Sequence, residues 1–478
     1  MTKRYEDFRS GVCAGPEGSR LLGGDAAAYG AALAGESYGE VYLEESLWST
    51  ARLEDGAVRD IGASAERGLS LRLLRKQGQR VQTFFGSAQD PSPDAAARLR
   101  ARLAPGAPGR GPAFVAPARS AAAFRLDPSQ VALERKLSLL REVDLAARAM
   151  SPLIRQVTAT YSDRRKDTRV LNSEGADCGQ SRVSTNLSVS VVAERDGMLQ
   201  TGFEVIGAQR GFELFDDEAA LKAARRAAAR ALAKLDAPKA KAGERTIILA
   251  AAAGGTFIHE AIGHSLEVDH VQEGSSPAYR GMRGKVVAPE TITVVDDPTL
   301  PFQRGSFAFD DEGVPARATE LVRNGVLNDF LYDRAAALRE DRPSNGHGRR
   351  ESFASRPIPR MSNLYIAPGQ DDPAKIVREV KRGLLVTRMG GGQVDTASGE
   401  FVFEVDEGWL IEDGKVKHLV RDANLLGVGP EALRSIDRVG WDIGWGIGIC
   451  GKEGQSVAVS DGQPTIRMPK LVVGGSHD

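Results

Sequence analysis

The stretch Gly254–His270, GGTFIHEAIGHSLEVDH, constrains this chain more than any other. It follows the apolar run Ile248–Ala253 and holds His259, Glu260 and His264. The run reads as a buried strand, the glycine pair as a turn, and Thr256 as the N-cap of a helix. Two histidines flanking a glutamate form the residue set of hydrolytic zinc sites. Neutral imidazoles bind the metal, and a carboxylate beside them takes a proton from water. The spacing here is HExxxH, one residue longer than HExxH. Each residue of an ideal helix turns about 100°, so positions i and i+5 sit roughly 140° apart. Both imidazoles reach one metal only if the helix widens, as a π-turn does, or breaks. Gly263, directly before His264, is the residue best able to permit that distortion. The competing reading makes Glu260 and His264 an ordinary i,i+4 side-chain pair.

With 478 residues the chain is long enough for two or three domains with substantial cores. A net charge of −1 argues against a nucleic-acid or anionic-membrane partner. Three widely spaced cysteines, Cys13, Cys178 and Cys450, make no disulfide framework and fit a reducing compartment. The segment from Met1 has no apolar core of a signal peptide, and Ile247–Ile258 is too short to span a bilayer. The expectation is a cytoplasmic protein.

The elements predict an α+β, multi-domain fold with mixed and antiparallel sheets, packed helices and a β-rich C-terminal unit. Residues 1–89 read as a small α+β domain with hairpins turning at Asp55-Gly56 and Gln77-Gly78. Residues 90–119 are rich in Pro and Gly and read as a linker around a short helix, Asp94–Leu103. Residues 120–238 read as a middle α+β domain. A helix starts at Asp127-Pro128, with the stripe Leu133, Leu137, Leu140 and Val143. Strands follow at 154–162, 168–172, 181–195 and 199–207, then a helix over 217–235 with Leu221, Ala224, Ala228, Leu232 and Leu235 on one face. Residues 239–478 carry the histidine motif and turn β-rich, with hairpins at Asn324-Gly325 and Asp413-Gly414 and a helix over 372–382 ending at Gly383. The glycines of 390–392 and of GWGIGICG lack phosphate-loop context and read as tight turns or close backbone packing.

A catalytic zinc usually takes three protein ligands. Glu267, Asp269, His270 and the distant Cys450 are all candidates for the third, and pattern alone leaves them open.

Several separate segments resemble one family. HEAIGH, NGHGRRESFASRPIPRMSNLYI (Asn345–Ile366), GGGQVDTASGEFVF (Gly390–Phe403) and the CGKEGQ-to-QPT segment (Cys450–Thr465) are similar to the TldD/PmbA metalloproteases. Asn172-Ser173-Glu174-Gly175 and Asp310-Asp311-Glu312-Gly313 resemble the same family, so the likeness runs from about Tyr161 onward. It implies a zinc peptidase in which His259, His264 and Cys450 hold the metal and Glu260 is the general base. With its motif intact, the chain resembles the catalytic TldD type. That type pairs with a motif-less subunit around a chamber and acts on short or unfolded peptides, including peptide-antibiotic precursors and small antitoxins. A dimer, with such a subunit or with itself, is the expectation. Arg349 and Arg350 read as a clamp for a substrate carboxylate or as structural ion-pair residues. The rival reading is a non-catalytic peptide-binding or partner-modulating subunit whose zinc is structural.

Overall fold

The computed structural model describes residue 21 and residues 23–105, 109–395 and 397–475; Cys13 lies outside them. Strands β1 (Tyr38–Glu54), β2 (Ala57–Gln77) and β3 (Arg80–Ala88) form antiparallel hairpins. Asp55 and Gly56 take φ of 51° and 71°, the left-handed pair that an Asp-Gly two-residue turn requires. Strands β4 (Ala118–Ser120), β5 (Ile154–Asn172), β6 (Asp177–Arg195) and β7 (Met198–Ala208) join the same sheet. Its order is β3-β2-β1-β5-β6-β4, with β7 also on β6. β1 and β5 pair from Glu40↔Asn172 to Glu54↔Thr158. The N-terminal and middle units therefore share one sheet, and β4, at the end of the linker segment, pairs with β6.

The sequence predicts two strands where β5 is one, because the polar run 163–167 breaks the apolar alternation. The charges are satisfied within the fold instead. Lys136 reaches Asp163 at 2.6 Å, and Lys166 reaches Glu44 at 3.0 Å. Asp127 caps only a short 3₁₀ turn, Pro128–Gln130, and the helix proper is Leu133–Arg148. Its predicted stripe is buried against β5 and against the helix Ala219–Asp236. Each buried Leu contributes about 1.5–3 kcal/mol. The second helix presents mainly Ala220, Ala223, Ala224, Ala227, Ala228 and Ala231 to the sheet. These small side chains allow close packing: a Cβ at Gly202 of β7 would meet the Ala227 carbonyl oxygen at 2.0 Å.

The C-terminal unit contains β8 (Gly243–Leu249), β9 (Val294–Asp296), β10 (Thr319–Arg323), β11 (Val326–Leu327), β12 (Gly348–Arg349), β13 (Ile358–Pro359) and β14 (Asn363–Ile366). It continues with β15 (Arg382–Val394), β16 (Glu400–Glu412), β17 (Lys415–Val420), β18 (Ala423–Val428), β19 (Arg438–Val439), β20 (Gly444–Lys452), β21 (Gln455–Gln463) and β22 (Ile466–Gly474). One sheet runs β15-β8-β22-β18-β16-β17, and β15 also pairs with β16, so five of its strands close into a ring. The other runs β11-β10-β9-β14-β21-β20. The helix expected over 372–382 is shorter, Pro373–Arg378, because Gly383 is taken into β15 beside the Thr246 carbonyl. GWGIGICG is the strand β20. A Cβ at Gly444 would meet the Ala251 carbonyl oxygen at 2.0 Å, so this strand lies hard against the segment that leads into the histidine motif.

Candidate metal centre

The helix after the Gly-Gly turn starts at Thr256, with Gly255 as its N-cap and no side-chain cap, so Thr256 does not cap it. After one turn it widens. Residues His259–Gly263 form a π-turn in which the His264 amide donates to the His259 carbonyl, five residues back. HExxxH is therefore the spacing that one π-turn brings to a single face. The two imidazole centroids lie 5.2 Å apart at 87°. Gly263 itself has ordinary right-handed φ and ψ of −57° and −51°. Its role is space rather than backbone freedom, since a Cβ there would meet Met361 Sδ at 2.1 Å.

Cys450 arrives from β20. His259, His264 and Cys450 are buried, and their ligand atoms lie within 4.8 Å of one another. Cys450 Sγ is 3.7 Å from His264 Nε2. Two donors at about 2.3 and 2.1 Å from one tetrahedral zinc stand roughly 3.6 Å apart, so the donor set fits that ion. Burial alone would raise the Cys450 thiol, but His259 and His264 outweigh it and bring it down to about 5. A thiolate with two imidazoles is a donor set that zinc accepts.

Each imidazole is held by a carboxylate. His259 Nδ1 lies 2.7 Å from Asp461 Oδ1, and His264 Nδ1 lies 3.0 Å from Glu267 Oε2. Such partners fix the ring and leave Nε2 for the metal. Strand register explains Asp461. β20 and β21 pair Cys450↔Val457 and Gly446↔Asp461, so alternation sets Asp461 and Cys450 on one face of the hairpin. Burial resists charge on Glu267, but Lys452 at 3.2 Å and His264 overcome it and hold the carboxylate ionised. Asp269 bonds Lys452 Nζ at 2.7 Å, and His270 Nδ1 lies 2.9 Å from Ser275 Oγ. Of the four candidates for a third ligand, Cys450 joins the histidines, Glu267 holds His264 from behind, Asp269 holds Lys452, and His270 stands against Ser275. Arg360, fully buried, donates to the Cys450 carbonyl. The sequence reading missed Asp461, Lys452 and Arg360. Only the β20–β21 register and the fold of the 345–366 segment bring them in.

Glu260 is the one member of this group with substantial solvent access, at 29% side-chain exposure, and its Oε2 stands 3.9 Å from His264 Nε2. Burial raises its carboxyl above the ordinary value, with His259 and His264 pulling the other way. Arg349 and Arg350 lie elsewhere. Arg350 pairs with Glu40 and stacks on Tyr42, while Arg349 donates to the carbonyls of Met361 and Ala458. Both are engaged away from the His–His–Cys group. Asn172 and Glu312, from two of the family-like segments, meet at the junction of the large sheet and the C-terminal unit, where Asn172 Nδ2 donates to the Glu312 carbonyl at 3.4 Å.

Family models for the three PmbA/TldA metallopeptidase domains match in order: domain 1 over residues 39–104, the central domain over 126–235 and the C-terminal domain over 242–475. The chain belongs to the PmbA/TldD metallopeptidase family. A metalloprotease TldD homologue of Haemophilus influenzae is 35% identical over 452 residues, covering 92% of this chain and 93% of the relative. A zinc metalloprotease TldD homologue of Saccharolobus solfataricus is 31% identical over 345 residues, covering 72% and 76%. Among solved structures, TldE from Thermococcus kodakarensis matches with a TM-score of 0.68 at 20% identity, covering 92% of this chain and 97% of that one. A Thermotoga maritima structure, named for a proposed modulation of a DNA gyrase, matches at 0.75 and 21%, covering 91% and 96%. These two likenesses carry the PmbA/TldD fold and nothing finer.

Proposed function

We propose that the chain is a zinc-dependent peptidase acting on short or unfolded peptides, with His259, His264 and Cys450 as ligands and Glu260 as general base. The observation that carries this reading is the buried His–His–Cys cluster with a partly exposed glutamate at its open side. When bound, zinc supplies a Lewis acid that polarises a carbonyl and acidifies water. Asp461 and Glu267 orient the two imidazoles. Glu260 accepts the proton of the attacking water and passes it to the leaving amine. Its partly exposed carboxylate beside the ligands is placed to reach that water.

The substrate is held as an added strand. β20 is the last strand of its sheet, so its outer edge has no partner strand among the described residues, and it carries Cys450. Ile449, next to the ligand, is 68% exposed. A groove of about 950 Å³ runs beside Trp445–Ile447 and Thr256, between β7 and the Phe302 loop. Strand addition selects an extended backbone over a particular side-chain sequence. A structural metal site would need a fourth protein donor, and Glu267 and Asp269 are engaged with His264 and Lys452. That favours the catalytic reading over a binding subunit. No helix among the described residues is long and apolar enough to cross a membrane, and the proposed setting is cytoplasmic. The proposed assembly is a dimer, with a related motif-less subunit or with itself.

The test pairs metal content with peptide hydrolysis. Wild type holds about one zinc, Cys450→Ala loses it, and Glu260→Gln keeps it while hydrolysis falls by about 10²–10⁴. Full-rate hydrolysis by Glu260→Gln would remove Glu260 as the base. Zinc retained by Cys450→Ala would return the third ligand to Glu267, Asp269 or His270.

A further inference from the structure

A second polar cavity, of about 90 Å³, lies where β5 and β6 of the large sheet face β21. None of His259, Glu260, His264 or Cys450 lines it. Six cations do: Arg164, Lys166, Arg182, Arg304, Arg349 and Arg350. The acids on its wall are Asp311 and Glu351. Just behind it, Glu44 pairs with Lys166 at 3.0 Å and Arg164 at 3.5 Å, and Glu40 pairs with Arg350. On the wall and within pairing distance, six positive charges thus face four negative ones, an excess of two, with Asp296 acting on Arg349 from farther off.

The excess sits on three guanidinium groups. Arg349 is 4% exposed, and its hydrogen bonds go to two backbone carbonyls. Arg304 donates to one carbonyl, that of Gly448 at 3.1 Å, and its Nε is buried without a partner. Arg182 has Asp311 no nearer than 3.6 Å, and its buried Nε is also without a partner. Buried Nε of Arg350, a side chain with 0% exposure, is likewise unmatched. Uncompensated buried cations are costly, and unmatched donors add to the cost. The electrostatics agree with the geometry: burial, then the Arg182 charge, draw Arg349 down to about 10. Burial also draws Lys166 down to about 8 against the pull of Glu44.

We propose that this cavity is a binding site for a phosphate-class dianion, free or as a phosphoryl group, which clamps the large sheet to the C-terminal sheet. Guanidinium forks match the oxygens of such an anion two at a time. An excess of two charges matches a dianion better than a single carboxylate. The volume takes one compact anion with a few waters. Arg182 comes from β6, and Arg304 and Arg349 come from the C-terminal unit, so one anion bonded to all three ties the two together.

The probe is inorganic phosphate at pH 7.5, titrated into the full chain against chloride at matched ionic strength, with the thermal midpoint as readout. The expected result is a saturable rise in wild type. Arg304→Gln should weaken the apparent phosphate affinity at least tenfold. Its midpoint in chloride should hold or rise, because one of several like charges is removed. Arg182→Gln, on the opposite wall, supplies the same comparison if Arg304→Gln folds poorly by far-UV circular dichroism. The rise should persist in Cys450→Ala, which separates this site from phosphate bound at the metal. Phosphorylated serine in place of phosphate tests the phosphoryl source and should give the same saturation behaviour if the anion arrives on another molecule. A rise that is not saturable, that is unchanged in both arginine variants, or that vanishes in Cys450→Ala overturns the proposal. So does saturation by a peptide's terminal carboxylate with none by phosphate.

Discussion

Asp461 Oδ1 stands 2.7 Å from His259 Nδ1, although 202 residues separate them in the chain. The carboxylate fixes which nitrogen of the ring is left for a metal. Asp461→Asn should therefore weaken zinc binding about 10–100-fold, with the far-UV spectrum unchanged. Competition against a chromophoric chelator measures it. Unchanged affinity would remove the orienting role assigned to Asp461.

The π-turn has its own test at Gly263. A methyl group there meets Met361 Sδ at 2.1 Å and Leu364 Cδ2 at 2.7 Å. Overpacking of this kind costs about 1–3 kcal/mol, and relief requires the turn to shift. Gly263→Ala should lower the urea midpoint and reduce zinc stoichiometry together. Loss of stability with zinc binding intact would show that the turn tolerates displacement.

Arg72 ties the N-terminal strands to the C-terminal unit. It bonds Glu40 at 3.0 Å, contacts Glu312, and approaches Asp333 at 3.4 Å, all of them buried. Arg72→Met leaves Glu312 and Asp333 without their guanidinium partner, while Glu40 keeps Arg350, and should cost about 3–5 kcal/mol. Adding Glu312→Gln should recover part of the loss. Equilibrium urea unfolding of the single and double variants decides it, and strictly additive losses would count against a shared network.

His347 gives a pH dependence of definite sign. It is fully buried, with Nε2 3.1 Å from Thr319 Oγ1 and Nδ1 3.6 Å from Asp296. Burial, reinforced by Arg349, holds its pKa down at about 3. The unfolded chain takes up the proton near pH 6.5. The contribution is thus complete above about 6.5 and is lost as pH falls toward about 3. Between pH 8 and pH 5 that amounts to about 2 kcal/mol. His347→Gln should flatten this part of the stability profile. An unchanged slope would assign the pH dependence to other groups.

The sequence made the metal motif legible, because HExxxH and its strand-turn-helix setting are local. It also made the hairpins legible: Asn324 and Asp413 take φ of 47° and 49° beside Gly325 and Gly414, the turns their dipeptides predict. What it concealed was long-range. β5 read as two strands because Lys136 and Glu44, which neutralise its polar centre, are supplied by other elements. Asp461 went unremarked because its face is set by register with β20. Arg349 and Arg350 read as a carboxylate clamp or as ion-pair residues, and only the fold shows Arg350 paired with Glu40.

The β1–β5 ladder has a consequence during synthesis. β1 ends at Glu54 and β5 begins at Ile154. At roughly 5–20 residues per second, the ribosome needs about 5–20 s to cover that interval. Throughout it, the edge of β1 that β5 will cover has no native partner, and open edges recruit foreign strands. Its centre is polar, with Glu44, Glu45 and Ser46 in sequence. The charges that later pair with Lys166 and Arg164 also guard the nascent strand while it waits.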